Sequence, residues 1–110
     1  MKHRACHVDE IPPDRGHEVV VAGRVVGLFR QPSDDGSETI AALDGLCPHA
    51  GGPLATGYCR DGVVMCPWHG WSFRLTDGTH TTAPQITVER YAVEVENGEV
   101  FLSFDDAPNE

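Results

Sequence analysis

Leu46-Cys47-Pro48-His49-Ala50-Gly51-Gly52-Pro53-Leu54 and Cys66-Pro67-Trp68-His69-Gly70-Trp71-Ser72-Phe73 decide the reading of this chain. Each stretch pairs one thiol with one imidazole, and sixteen residues lie between His49 and Cys66. Thiolate and imidazole are both transition-metal ligands, so the pattern is a metal site written twice, with Cys47, His49, Cys66 and His69 as its donors. Two chemistries accept that set. One is a closed tetrahedral zinc site; the other is an iron–sulfur centre in which imidazoles replace two of the usual four cysteines. Zinc modules usually hold their paired cysteines a few residues apart and gather their histidines on a helix. Here each pair mixes Cys with His, and Gly, Pro and β-forming residues surround both, which favours the iron–sulfur reading and leaves a zinc-stabilised interaction domain as the alternative.

Outward from these loops the chain reads as short strands and turns. Val63-Val64-Met65 runs into Cys66 and residues 71–75 run out of the second loop, which places that loop at the tip of a hairpin closed by Thr76-Asp77-Gly78-Thr79. Upstream, Val19-Val20-Val21 and Val25-Val26-Gly27-Leu28-Phe29 flank Ala22-Gly23-Arg24 as a second hairpin. Residues 39–43 form the next strand, reached through the polar turn at 32–37. Downstream, Tyr91, Val93 and Val95 alternate with Ala92, Glu94 and Glu96, and Asn97-Gly98 joins them to Val100-Phe101-Leu102-Ser103. No segment has the period of an amphipathic helix, so the fold class is all-β.

The two loop strings resemble the Rieske family, most closely the soluble Rieske-type ferredoxins of multicomponent oxygenases and the small subunit of nitrite reductase. The likeness extends to Cys6-His7-Val8-Asp9-Glu10-Ile11-Pro12, to Ala42-Leu43-Asp44 and to the closing 91–100 segment, and so covers essentially the whole chain. It implies an antiparallel β-sandwich over residues 1–104, with a cluster-binding subdomain at about 45–84 formed by two hairpin-like loops and a short acidic tail at 105–110. It also implies one Rieske-type [2Fe–2S] cluster, with Cys47 and Cys66 on one iron and His49 and His69, near the solvent-facing tip, on the other. Neutral imidazoles in place of thiolates leave the oxidised cluster less negative, which raises its potential above that of an all-cysteine cluster. Gly51, Gly52 and Gly70 would let backbone N–H groups approach the bridging sulfides, Pro48, Pro53 and Pro67 would stiffen the loops, and a third loop at Ala83-Pro84-Gln85 would cover the cluster. Trp68 and Trp71 would either shield it from water or fill the core beneath it.

The same resemblance gives meaning to what is absent. High-potential relatives tie their loops with a disulfide, but Gly52 and Trp68 stand at the matching positions. They also use serine and tyrosine hydroxyls as donors near the cluster, where this chain has Trp71 and Phe73. Fewer donors stabilise the reduced state less, so the expected potential lies at the low end of the Rieske range, on the order of −150 mV.

With 110 residues the chain has room for one modest core. The mononuclear iron domain of a Rieske oxygenase has no place after Phe104, so electron transfer is expected rather than substrate oxidation. No run of about 18 apolar residues occurs and the first residues are polar, so the expectation is a cytoplasmic protein without a membrane partner. Net charge is −9, from 17 acidic and 8 basic side chains. That excess disfavours nucleic acid or an anionic membrane; it either serves solubility alone or steers the chain toward a basic docking patch on a flavin- or iron–sulfur-containing reductase and then a terminal oxygenase, or on a nitrite reductase large subunit. Cys6, in a first strand, and Cys59, between the loops, are expected to be inert small hydrophobes. His3, His7, His17 and His80 have no partner at metal-ligand spacing and are expected at the surface.

Overall fold

The computed structural model describes residues 2–32, 36–47, 52–68 and 70–104. Among them nine strands form: β1 (Lys2–His7), β2 (His17–Val21), β3 (Arg24–Pro32), β4 (Glu38–Asp44), β5 (Tyr58–Arg60), β6 (Val63–Met65), β7 (Ser72–Arg74), β8 (Arg90–Glu96) and β9 (Glu99–Ser103). The described residues contain no α-helix, only single 3-10 turns at Val8–Glu10 and Leu54–Thr56. No helix among them is long and apolar enough to cross a membrane. The strands make a six-stranded sheet in the order β1-β9-β8-β4-β3-β2 and a three-stranded sheet in the order β5-β6-β7. Every pairing is antiparallel, as the all-β reading requires.

Three of the hairpins turn on two residues with positive φ: Ala22-Gly23 (52° and 78°), Asp61-Gly62 (55° and 81°) and Asn97-Gly98 (54° and 81°). Such turns match the right-handed twist of the strands they join and so fix register: Val21 faces Arg24, Arg60 faces Val63, and Glu96 faces Glu99. The first hairpin is therefore one residue tighter than the sequence suggests, because Arg24 is already in β3. The stretch around Cys59, read as a loop, is strand β5; its three residues are too few to show a period.

Both faces of the central strands are covered, which produces two cores. Val26, Leu28, Ile40 and Ala42 enter one core with Cys6, Ile11, Val100 and Leu102, inside the curled six-stranded sheet. Phe29, Ala41 and Leu43 point the other way, into a second core with Leu54, Cys59, Val64, Phe73 and Leu75 beneath the three-stranded sheet. The period of two along β3 and β4 thus feeds both cores at once.

The Leu54–Thr56 turn sits directly on the large sheet. A Cβ on Gly16 would lie 2.0 Å from the Ala55 carbonyl oxygen, and one on Gly27 would lie 2.7 Å from Ala55 Cα. Glycine at these two positions lets the backbones touch, and this contact fixes the height at which the first cysteine loop leaves the sheet.

Candidate metal centre

The first loop leaves β4 and is held at both ends. Gly45 N–H donates to the Val25 carbonyl at 2.8 Å, and Ala55 N–H donates to the Gly45 carbonyl at 3.0 Å. Between these ends the Gly52 carbonyl accepts from the N–H groups of Cys47 and Leu54, each at 2.9 Å. The second loop tips the β6–β7 hairpin, as expected, with Met65 facing Ser72 at its base. Cys66 N–H donates to the Trp71 carbonyl at 2.8 Å, and Gly70 N–H returns to the Cys66 carbonyl at 3.1 Å. Each cysteine is therefore anchored through its backbone, and its position does not depend on side-chain packing alone.

Cys47 and Cys66 are 3% and 1% exposed and belong to the second core, and none of the four cysteines is in a disulfide. The two loops meet at Gly52, where a Cβ would stand 3.0 Å from Cys66 Sγ and 3.1 Å from the Trp68 ring. Positions 52 and 68 are neighbours across the loops, which is where the resemblance sets the paired cysteines of high-potential relatives. His49 and His69 lie outside the described residues. Two buried thiols on facing loops are a donor set for a soft metal or an iron–sulfur centre, since metal coordination is what makes a buried thiolate favourable. The two described cysteines thus fit the thiolate half of the implied cluster.

Trp68 is 59% exposed beside Gly52, whereas Trp71 is half-buried against the second core. Trp71 thus fills core, as one of the two roles left open requires. Phe73 is fully buried, so no hydroxyl stands at position 73 or 71.

His80, like His3, His7 and His17, is partly exposed, but it has a structural task that the sequence does not announce. Its Nδ1 accepts from the backbone N–H of Thr82 at 3.2 Å and of Ala83 at 3.1 Å. Its ring meets those of Trp71 and Phe73 at 87° and 86°, with centroids 5.0 and 5.4 Å away. This histidine ties the third loop to the hairpin that carries Cys66. The signal was available only as a His two and three residues ahead of two small polar or apolar residues, a pattern too common to read.

The remaining cysteines behave as expected. Burial pushes the Cys6 thiol up to about 11, with the Glu10 carboxylate adding to the effect. Burial and then Asp14 raise Cys59, which packs in the second core. Neither thiol is poised for chemistry near neutral pH.

Comparison with known proteins agrees with this geometry. A family profile for the Rieske [2Fe-2S] domain matches residues 1–95. Human Apoptosis-inducing factor 3 is 32% identical over 98 residues, which are 88% of this chain; the chain spans 15% of the length of that relative. A candidate NADH-dependent nitrite reductase small subunit from Mycobacterium tuberculosis superposes with a TM-score of 0.76 at 29% identity, covering 93% of each chain. The ferredoxin of carbazole 1,9a-dioxygenase from Nocardioides aromaticivorans IC177 gives a TM-score of 0.78 at 25% identity, covering 94% of this chain and 97% of that one.

Proposed function

The chain belongs to the Rieske [2Fe–2S] family, and from that membership we propose that it is a carrier taking one electron at a time from a reductase to an oxygenase-type acceptor. One Rieske-type [2Fe–2S] cluster is the cofactor of the domain. In this reading Cys47 and Cys66 hold one iron, and His49 and His69 hold the other. The observation that carries it is the pair of buried thiols on facing, backbone-anchored loops that touch at Gly52.

When bound, the cluster supplies a one-electron couple. The chain's own residues do the rest. The hydrogen bonds at Gly52 and Trp71 fix the two thiols, the second core keeps water from their inner side, and His80 fastens the third loop beside them. The donor in this scheme is a flavin- or iron–sulfur-containing reductase that gives up one electron, and the terminal oxygenase takes it. The match to the carbazole dioxygenase ferredoxin along nearly the full length of both chains supports an oxygenase partner. A second reading, the small subunit of an NADH-dependent nitrite reductase, is favoured by the equally complete match to the Mycobacterium protein. Co-purification with a sirohaem-containing large subunit would select it.

The test is electron paramagnetic resonance of the anaerobically purified, dithionite-reduced protein, with iron and acid-labile sulfide analysis. The expected result is a rhombic signal with an average g below that of all-cysteine clusters and about two irons per chain. A colourless, silent protein with about one zinc per chain would replace the carrier with a zinc-stabilised interaction domain.

A further inference from the structure

The outer face of the β5–β6–β7 sheet gathers arginines, in a chain whose net charge is −9. Residues directly opposite in an antiparallel ladder share a face. An isolated bridge sets Arg15 against Tyr58, and the ladder continues through Met65 to Ser72. The neighbouring row on the same face runs Arg60, Val63, Arg74. The opposite face of the sheet, with Cys59, Val64 and Phe73, is buried in the second core.

Three of the eight basic residues of a chain with net charge −9 therefore stand on one small surface, and no carboxylate occupies a strand position there. Asp61 in the adjoining turn lies 3.8 Å from Arg60, with both side chains more than 90% exposed, so that pairing is weak; Asp77, after β7, also acts on Arg74, and Asp14 precedes Arg15, so carboxylates border the arginines from outside the strands. Between the arginines the surface is apolar: Tyr58 is 66% and Met65 47% exposed. Tyr, Trp, Met and Arg are the residues over-represented in protein interfaces, where an apolar centre is ringed by charge. Three of the eight glutamates, at 94, 96 and 99, stand on β8 and β9.

We propose that this face is a docking surface for a redox partner protein that presents carboxylates around an apolar centre, with Tyr58 and Met65 as anchors and Arg15, Arg60 and Arg74 as the charged rim. The inference rests on the electron-transfer reading, and it names the partner's chemistry. A small patch of mixed character suits a carrier that must leave after each electron. Met65 directly precedes Cys66, so a partner seated here lies against the cysteine-bearing hairpin. Net charge alone would steer the chain toward a basic partner, so an acidic one would have to be drawn in and oriented by these local arginines.

The test uses small oxidants of opposite charge as probes of the face. The dithionite-reduced holoprotein is mixed at low ionic strength with ferricyanide, a trianion, or with hexaammineruthenium(III), a trication, in a stopped-flow instrument. R60E/R74E is compared with K2E/R4E, which makes the same change in net charge on β1. The expected result is that R60E/R74E slows ferricyanide several-fold more than K2E/R4E does and speeds the trication more, with R60Q/R74Q intermediate. Equal rates for the two charge-reversed pairs would overturn the docking face, since net charge alone would then govern encounter. A protein that takes no electron from dithionite would sink the electron-transfer reading and this inference together, and that failure is visible before either probe is added.

Discussion

The ring of His80 stands at 87° to that of Trp71, 5.0 Å between centroids, while its Nδ1 takes the backbone N–H groups of Thr82 and Ala83. A single side chain thus both packs the cysteine hairpin and caps the loop beside it. His80→Ala removes both functions and should cost about 1–3 kcal/mol of stability, by analogy with lost caps and aromatic pairs. His80→Asn places an acceptor oxygen near the Nδ1 position and should recover part of the loss. Denaturant midpoints of the three proteins decide the matter; an Asn variant no better than Ala would show that the capping bonds contribute nothing.

Gly52→Ala should loosen the metal centre without unfolding the protein. The added methyl meets Cys66 Sγ at 3.0 Å and the Trp68 ring at 3.1 Å, so one of the two loops must move. We expect lower iron and sulfide content per chain and an altered visible spectrum, with far-ultraviolet circular dichroism unchanged. Full loading with the parent spectrum would mean that the loops are more compliant than this contact implies.

Cys6 predicts an alkaline limit to stability. In the unfolded chain its thiol ionises near 9.0, whereas burial holds it neutral to about 11 in the fold. Between those values unfolding releases a proton, so stability is fully present below pH 9 and declines as pH rises towards 11. Cys6→Ala should flatten this part of the profile, although buried Cys59 shifts in the same direction and will retain some slope. The check is the urea midpoint at a series of pH values from neutral to strongly alkaline; an identical slope in the variant would refute the assignment. At pH 8 Cys6 should also resist thiol reagents in the native protein.

The potential should lie near the low end of the Rieske range, on the order of −150 mV. Phe73 is fully buried and position 71 is tryptophan, so neither can offer the hydroxyl that stabilises a reduced cluster. A redox titration with a midpoint above about +100 mV would contradict this account.

The sequence made the loops and most of the sheet legible because their signals are local. Asn97-Gly98 between alternating strands announces a tight hairpin, and the Cys-x-His and Cys-x-x-His strings announce a metal. Asp61-Gly62 makes an equivalent turn, yet β5 went unread because Tyr58-Cys59-Arg60 is too short for alternation to show. The task of His80 went unread for a different reason: its partners are two backbone N–H groups and two rings that only the folded chain brings together. The arginine-rimmed face is hidden in the same way, since Arg15, Arg60 and Arg74 are far apart in sequence and adjacent only through register.

The double use of β4 has a practical consequence for anyone hoping to shorten this protein. Ile40 and Ala42 serve one core, Ala41 and Leu43 the other, and Phe29 reaches the second core from β3. A fragment trimmed to residues 45–84 would lose Phe29, Ala41 and Leu43 from beneath its cysteines, together with the Gly16 and Gly27 platform under Ala55. No miniature electron carrier can be cut from this chain at that boundary; grafting the cysteine loops onto another scaffold would require transplanting β3 and β4 with them.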